Sequence, residues 1–138
     1  MSDQWVRIIW AAMLLLHGLG HGGAIAALAW IAAGPGSTTG AWTEAKSWLL
    51  PSMAGGTATL VASAFWGVSL AGFVAAAILF WFGNDAWQPI AVVSAFVSTV
   101  GIVLFFGNWP LFNTLAALAV NVIVVVALLV LRWTPPAA

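Results

Sequence analysis

Long stretches of this chain carry almost no polar side chain, and the breaks between them are built around glycine, proline and asparagine. Four apolar runs stand out: Ile8 to Ala33, Ala58 to Phe82, Ile90 to Phe106 and Leu111 to Leu131. A bilayer's hydrocarbon core is about 30 Å thick and takes roughly 20 apolar residues of helix at 1.5 Å per residue. The third run is short, and Pro89 fits the first turn of a helix that begins near Trp87, because the N–H it lacks would have had no partner there. Strands of a membrane barrel would alternate apolar and polar residues, and these runs do not. We therefore expect an all-α integral membrane fold, an up-down-up-down bundle of four antiparallel transmembrane helices over about 8–33, 58–82, 87–106 and 111–131, forming one domain across 1–138.

Tryptophan supports the same division, since an indole favours the headgroup region, where its ring is in apolar surroundings and its N–H stays wet. Trp5, Trp30, Trp81, Trp87, Trp109 and Trp133 all fall near ends of the runs and read as interface anchors. The connections at 83–85 and 107–110 are tight enough to make neighbouring helices antiparallel. Only 34–57 is long. It opens with Gly34-Pro35-Gly36-Ser37, and Trp42, Ala45 and Leu49 then recur at helical spacing, which predicts a short interfacial helix over about 41–50, ended by Pro51. The first run continues past Ala24-Ile25-Ala26, so we expect a retained span and not a cleaved signal peptide. Arg7 and Arg132 flank the outer helices against Lys46 alone in the long connection, which favours cytoplasmic termini.

Composition narrows the chemistry. Of 138 residues, 64% are hydrophobic and 4% charged, where a soluble domain carries about 25% charge. Three basic against three acidic side chains leave no patch for nucleic acid. Without cysteine there is no thiolate nucleophile, disulfide or Cys-held metal. Glu44 and Asp85 lie in connections, so no Ser-His pair gains an acidic orienter within the spans, and the chain reads against an enzyme.

The polar residues inside the spans line up in depth. The midpoint of Trp5 and Trp30 falls at His17 and Gly18, that of Trp87 and Trp109 at Ser98, and that of Trp109 and Trp133 at Asn121, while the second run centres near Ser69. Polar groups in hydrocarbon are costly unless paired, so His17, Ser69, Ser98 and Asn121 should meet as a midplane layer. As interhelical glue each bond is worth about 0.6 kcal/mol. His17 and His21 are the only histidines and stand one turn apart on a stripe with Met13, a set able to offer imidazole and thioether ligands to copper, or a single axial ligand to haem. Two histidines on one face of one helix cannot ligate the same haem from both sides. Hydrogen bonding to a quinone or lipid head group is the other use of the pair. Gly18 with Gly22, and the ladder Ser63, Gly67 and Ala71, read as close helix-packing faces.

His17-Gly18-Leu19-Gly20-His21 in the first helix and Phe112-Asn113-Thr114-Leu115-Ala116 opening the last resemble small bacterial four-helix membrane proteins that carry an HGxxH in helix one and an FGT-x-AN-like start to the last helix. Asn113 stands where that pattern has Gly, and Ala117 where it has Asn. The resemblance implies a bacterial inner-membrane location and no particular activity. The sequence favours a non-enzymatic accessory or scaffold subunit whose partners are membrane lipids and other membrane-protein subunits or further copies of itself, with no nucleic acid. The alternatives are a haem- or copper-binding redox protein using Met13, His17 and His21, and a quinone- or lipid-binding protein.

Overall fold

A computed structural model describes residues 2–34, 38–39 and 42–134. Its helices are α1 (Asp3–Ala33), α2 (Gly55–Trp81), α3 (Trp87–Leu104) and α4 (Leu111–Val125). With the π-helical turn that extends α4 through Val126–Val130, all four are long and apolar enough to cross a membrane. α1 starts five residues before its apolar run, with Asp3 in the first turn, where a carboxylate meets the positive end of the helix dipole. α2 ends in a Schellman turn in which Gly83 takes φ 70° and Asn84 N–H donates to Leu79 O at 2.9 Å. The turn after α4 closes with Trp133 N–H donating to Ala127 O at 2.8 Å.

Contacts between helix ends fix the arrangement. Arg7 in α1 donates to Trp81 O at the end of α2 (3.1 Å), Trp87 at the start of α3 meets Phe80 edge-on (4.8 Å), and Trp133 stacks on Trp10 (4.7 Å). The start of α1, the end of α2, the start of α3 and the end of α4 thus share one end of the bundle. α1 lies along α2, and α2 along α3, whereas α1 and α4 barely touch.

Two apolar clusters divide the interior. Near the end just described, Leu14, Phe73, Phe80, Trp87, Ala95 and Val124 pack together; toward the other end Ala24, Leu28, Ala62, Trp66, Ile102 and Trp109 do so. His17, His21, Ser98 and Asn121 fall between the two clusters along their helices. Tryptophans divide in an instructive way. Trp5, Trp30 and Trp81 project outward, as anchors would, but Trp87 and Trp109 are only 1% and 8% exposed and belong to the core.

The helix expected over 41–50 is not formed. Position 41 lies outside the described residues; Trp42–Thr43 pair antiparallel with Thr38–Thr39, and residues 44–50 follow without helical hydrogen bonding. The cause is long-range. The last turn of a helix leaves carbonyls without partners, and this segment supplies donors for those of α3: Ser47 Oγ–H to Leu104 O (2.9 Å) and Trp48 Nε1–H to Val103 O (2.6 Å). Beyond α3, Asn108 O accepts from both N–H and Oγ1–H of Thr43, and Asn108 Nδ2–H donates to Lys46 O at 2.5 Å. Asn108 is thus the rivet between the long connection and the bundle. Asn108→Ala should destabilise by about 1 kcal/mol and speed proteolytic cutting within 42–53, measured by limited proteolysis in detergent. An unchanged cutting rate would show that the Thr43 and Ser47 bonds hold the segment without it.

Candidate functional site

His17 and His21 stand one turn apart on α1 with ring centroids 4.8 Å apart. Asn121 of α4 joins them to α3: its Oδ1 is 2.9 Å from His17 Nε2, while its Nδ2 lies 2.9 Å from Ser98 Oγ and 3.1 Å from Thr99 Oγ1. Ser98 Oγ in turn is 3.1 Å from His21 Nε2. Three helices are thereby tied at one depth, and Asn121, Ser98 and His21 are all buried.

Of the four residues expected in the midplane layer, His17, Ser98 and Asn121 meet. Ser69 does not. Its hydroxyl donates to Phe65 O of its own helix at 2.8 Å, an outlet open to any helical serine. His21 and Thr99 take part without having been placed there by depth. The glycine ladders fare unevenly. A Cβ at Gly18 would lie 3.1 Å from Phe73 Cβ and 3.2 Å from Val74 N, and one at Gly22 would touch Leu70 at 3.5 Å, so both are real approaches of α1 to α2. Gly67 has nothing within 4 Å, Ser63 is half-buried and Ala71 is exposed, so that ladder is not a packing face. The tight points of the α2 and α3 contact are Gly72, under Ser94, and Gly101, under Phe65 and Trp66.

Where α1 and α4 part, a cavity of about 410 Å³ opens beside the histidines. Met13, His17, Gly20 and His21 form its α1 side; Phe112, Asn113, Thr114, Ala117 and Val120 form its α4 side; Trp66, Ile102 and Trp109 close the back. Leu16, Gly20, Phe112 and Ala116 on its rim are exposed, so the mouth opens laterally, toward lipid in a spanning bundle. His21 stacks on Trp66 (5.2 Å, 12°), and Trp109 meets Trp66 edge-on (5.0 Å, 73°). Both of these cavity-lining tryptophans have a buried indole N–H with no acceptor, a condition that costs about 1–3 kcal/mol per donor. Of these two, only Trp109 carries a sequence expectation, that of an interface anchor. Their convergence depends on the connection after α3 folding back over α2.

Chelation of a metal fits this arrangement poorly. Both Nε2 atoms already face Asn121 and Ser98, and among the described residues no three His, Cys, Asp or Glu side chains cluster to hold an ion. Met13 lines the cavity but adds only a soft thioether. No protein-family model, curated protein or solved structure matches the chain.

Proposed function

We propose that this is a bacterial inner-membrane protein, its four helices crossing up-down-up-down with both termini cytoplasmic, that binds one small amphipathic molecule of the bilayer in the cavity between α1 and α4. The cavity carries this reading: largely apolar walls with a few convergent polar groups are what a membrane ligand's body and head require. His17 and His21 are the head-group contacts, which gives the HGxxH motif a binding role. Among the described residues no carboxylate lines the cavity to orient either imidazole, and binding without turnover is the function proposed.

Intrinsic fluorescence of the ten tryptophans offers a direct test. Titrating a short-chain benzoquinone into the detergent-solubilised protein should quench saturably. Gly20 lines the cavity, and a Cβ there meets nothing within 4 Å. Gly20→Leu should therefore fill the cavity without disturbing the helices, and weaken binding at least about tenfold, a change of about 1.4 kcal/mol. Linear, non-saturating quenching, identical in the two proteins, would overturn the reading.

The accessory-subunit reading has one observation in its favour. A second apolar groove, about 370 Å³, runs between α1 and α2 and is lined by Ala11, Ala12 and Ala77 beside the outward Ile78, Trp81 and Phe82. Small residues let another helix approach closely. Cross-linking in native membranes from a photoreactive residue at Ala12 would give a discrete protein adduct on that reading and lipid adducts otherwise.

A further inference from the structure

Given that the cavity is a ligand site, the directions of the hydrogen bonds around it specify the chemistry of the head group. We infer that the site takes an aromatic hydroxyl, the quinol form of a ring ligand, in preference to the oxidised quinone.

Thr99 sets the directions. Its hydroxyl proton is committed to Ala95 O at 2.7 Å, so toward Asn121 it only accepts. The Asn121 amide nitrogen must therefore face α3, where its two protons go to Thr99 Oγ1 and Ser98 Oγ. Oδ1 is left to face His17, and an oxygen acceptor there requires His17 Nε2 to carry the proton. Ser98 accepts from Asn121 and has one proton of its own. Ser69, Ser94 and Thr99 each return theirs to the carbonyl one turn back. Ser98 makes no such bond among the described residues, and its proton goes to His21 Nε2.

With one proton on each imidazole, the two rings are held as opposite tautomers. His17 keeps its proton on Nε2 and presents a bare lone pair at Nδ1. His21 spends its Nε2 lone pair on Ser98 and presents N–H at Nδ1. Neither Nδ1 has a partner among the described residues, and both residues line the cavity. The pair is thus one acceptor beside one donor.

A hydroxyl satisfies both at once, donating its proton to His17 Nδ1 while its oxygen accepts from His21 Nδ1–H. A quinone oxygen accepts from His21 but leaves the His17 lone pair facing another acceptor. The walls favour a ring: Trp66, Trp109 and Phe112 give the cavity an aromatic lining. Aliphatic alcohols share the hydroxyl chemistry but not the ring.

The test is anaerobic titration of the detergent-solubilised protein with a short-chain benzoquinol, with the matching benzoquinone, and with dodecanol as the aliphatic alcohol. The quinol should bind about tenfold tighter than the quinone, on the order of one added hydrogen bond, and tighter than the alcohol. For a two-electron couple a tenfold preference raises the bound midpoint potential by about 30 mV. Ser98 positions His21 and touches no ligand. In Ser98→Ala the His21 tautomer is no longer dictated, so the quinol to quinone preference should fall toward unity in protein that still binds the quinone saturably. Equal affinities for quinol and quinone in the wild type overturn the inference and leave the cavity a ligand site. An alcohol that matches the quinol overturns the ring assignment. Saturable binding of none of the three removes the underlying reading as well.

Discussion

Asn121→Ala should cost about 2–4 kcal/mol of stability and abolish saturable ligand binding, because one side chain holds three helices in register. Among the described residues its amide makes every hydrogen bond that joins α4 to the histidine layer, to His17, Ser98 and Thr99. Each is worth about 0.6 kcal/mol on average and up to about 1.7 in membrane proteins. The losses are unequal. Thr99 keeps Ala95 O and Ser98 keeps His21, but the half-buried His17 Nε2 loses its partner, at about 1–3 kcal/mol. Unfolding in mixed micelles with increasing sodium dodecyl sulfate measures the effect, and Ser69→Ala is the matched control. That hydroxyl is equally buried but bonds within its own helix, so its loss should cost under about 1 kcal/mol. Equal costs for the two variants would mean that the layer is no more than buried volume.

The contrast between those two residues also shows which part of the site was legible in the chain. Depth follows from helix rise and from where the apolar runs end, and depth alone brought His17, Ser98 and Asn121 together. Rotation about the helix axis does not follow from depth. Ser69 sits at the same height and turns to its own backbone, while His21, a turn farther along, is reached because Ser98 accepts from Asn121 and donates onward. Small-residue ladders divide for the same reason: Gly18 and Gly22 meet α2, whereas Gly67 is spaced to suit a packing face yet faces no neighbour. The connection after α1 illustrates a different limit. Trp42, Ala45 and Leu49 have helical spacing, but Thr43 gives its backbone N–H to Asn108 O, and the Ser47 and Trp48 side chains reach carbonyls at the end of α3, far away in sequence. Trp109 follows suit, since a tryptophan at the end of an apolar run is as good an anchor as a core residue until the fold decides which.

Gly101→Leu should be the most damaging substitution in the bundle, costing about 3 kcal/mol or more, with Gly101→Ala at about 1–3 kcal/mol. The obstruction is rigid. A Cβ at this position would lie 2.9 Å from Phe65 Cβ, 3.0 Å from Trp66 Cζ3 and 3.1 Å from Phe65 Cγ. Phe65 Cβ moves only with the backbone of α2, so relief requires α2 and α3 to part, and the Trp66 wall of the cavity moves with them. Ligand affinity should therefore fall in Gly101→Ala even where the protein stays folded. Gly72→Ala has a similar geometric insult with a softer cause, since its Cβ falls on the Ser94 hydroxyl. Ser94→Ala removes that atom and leaves Ser94 Cβ at 3.1 Å. Stability lost in Gly72→Ala should be partly restored in the double variant. Trimming Phe65 to alanine should not do the same for Gly101→Ala, because it leaves the Phe65 Cβ that stands at 2.9 Å. Gly23→Ala supplies the opposite sign: nothing lies within 4 Å of its Cβ, and alanine is the better helix former by about 0.5–1 kcal/mol. Thermal unfolding of the series in one detergent settles the order. If Gly101→Ala were as benign as Gly23→Ala, the close contact of α2 and α3 at Gly101, and with it the placement of Trp66 behind the histidines, would be wrong.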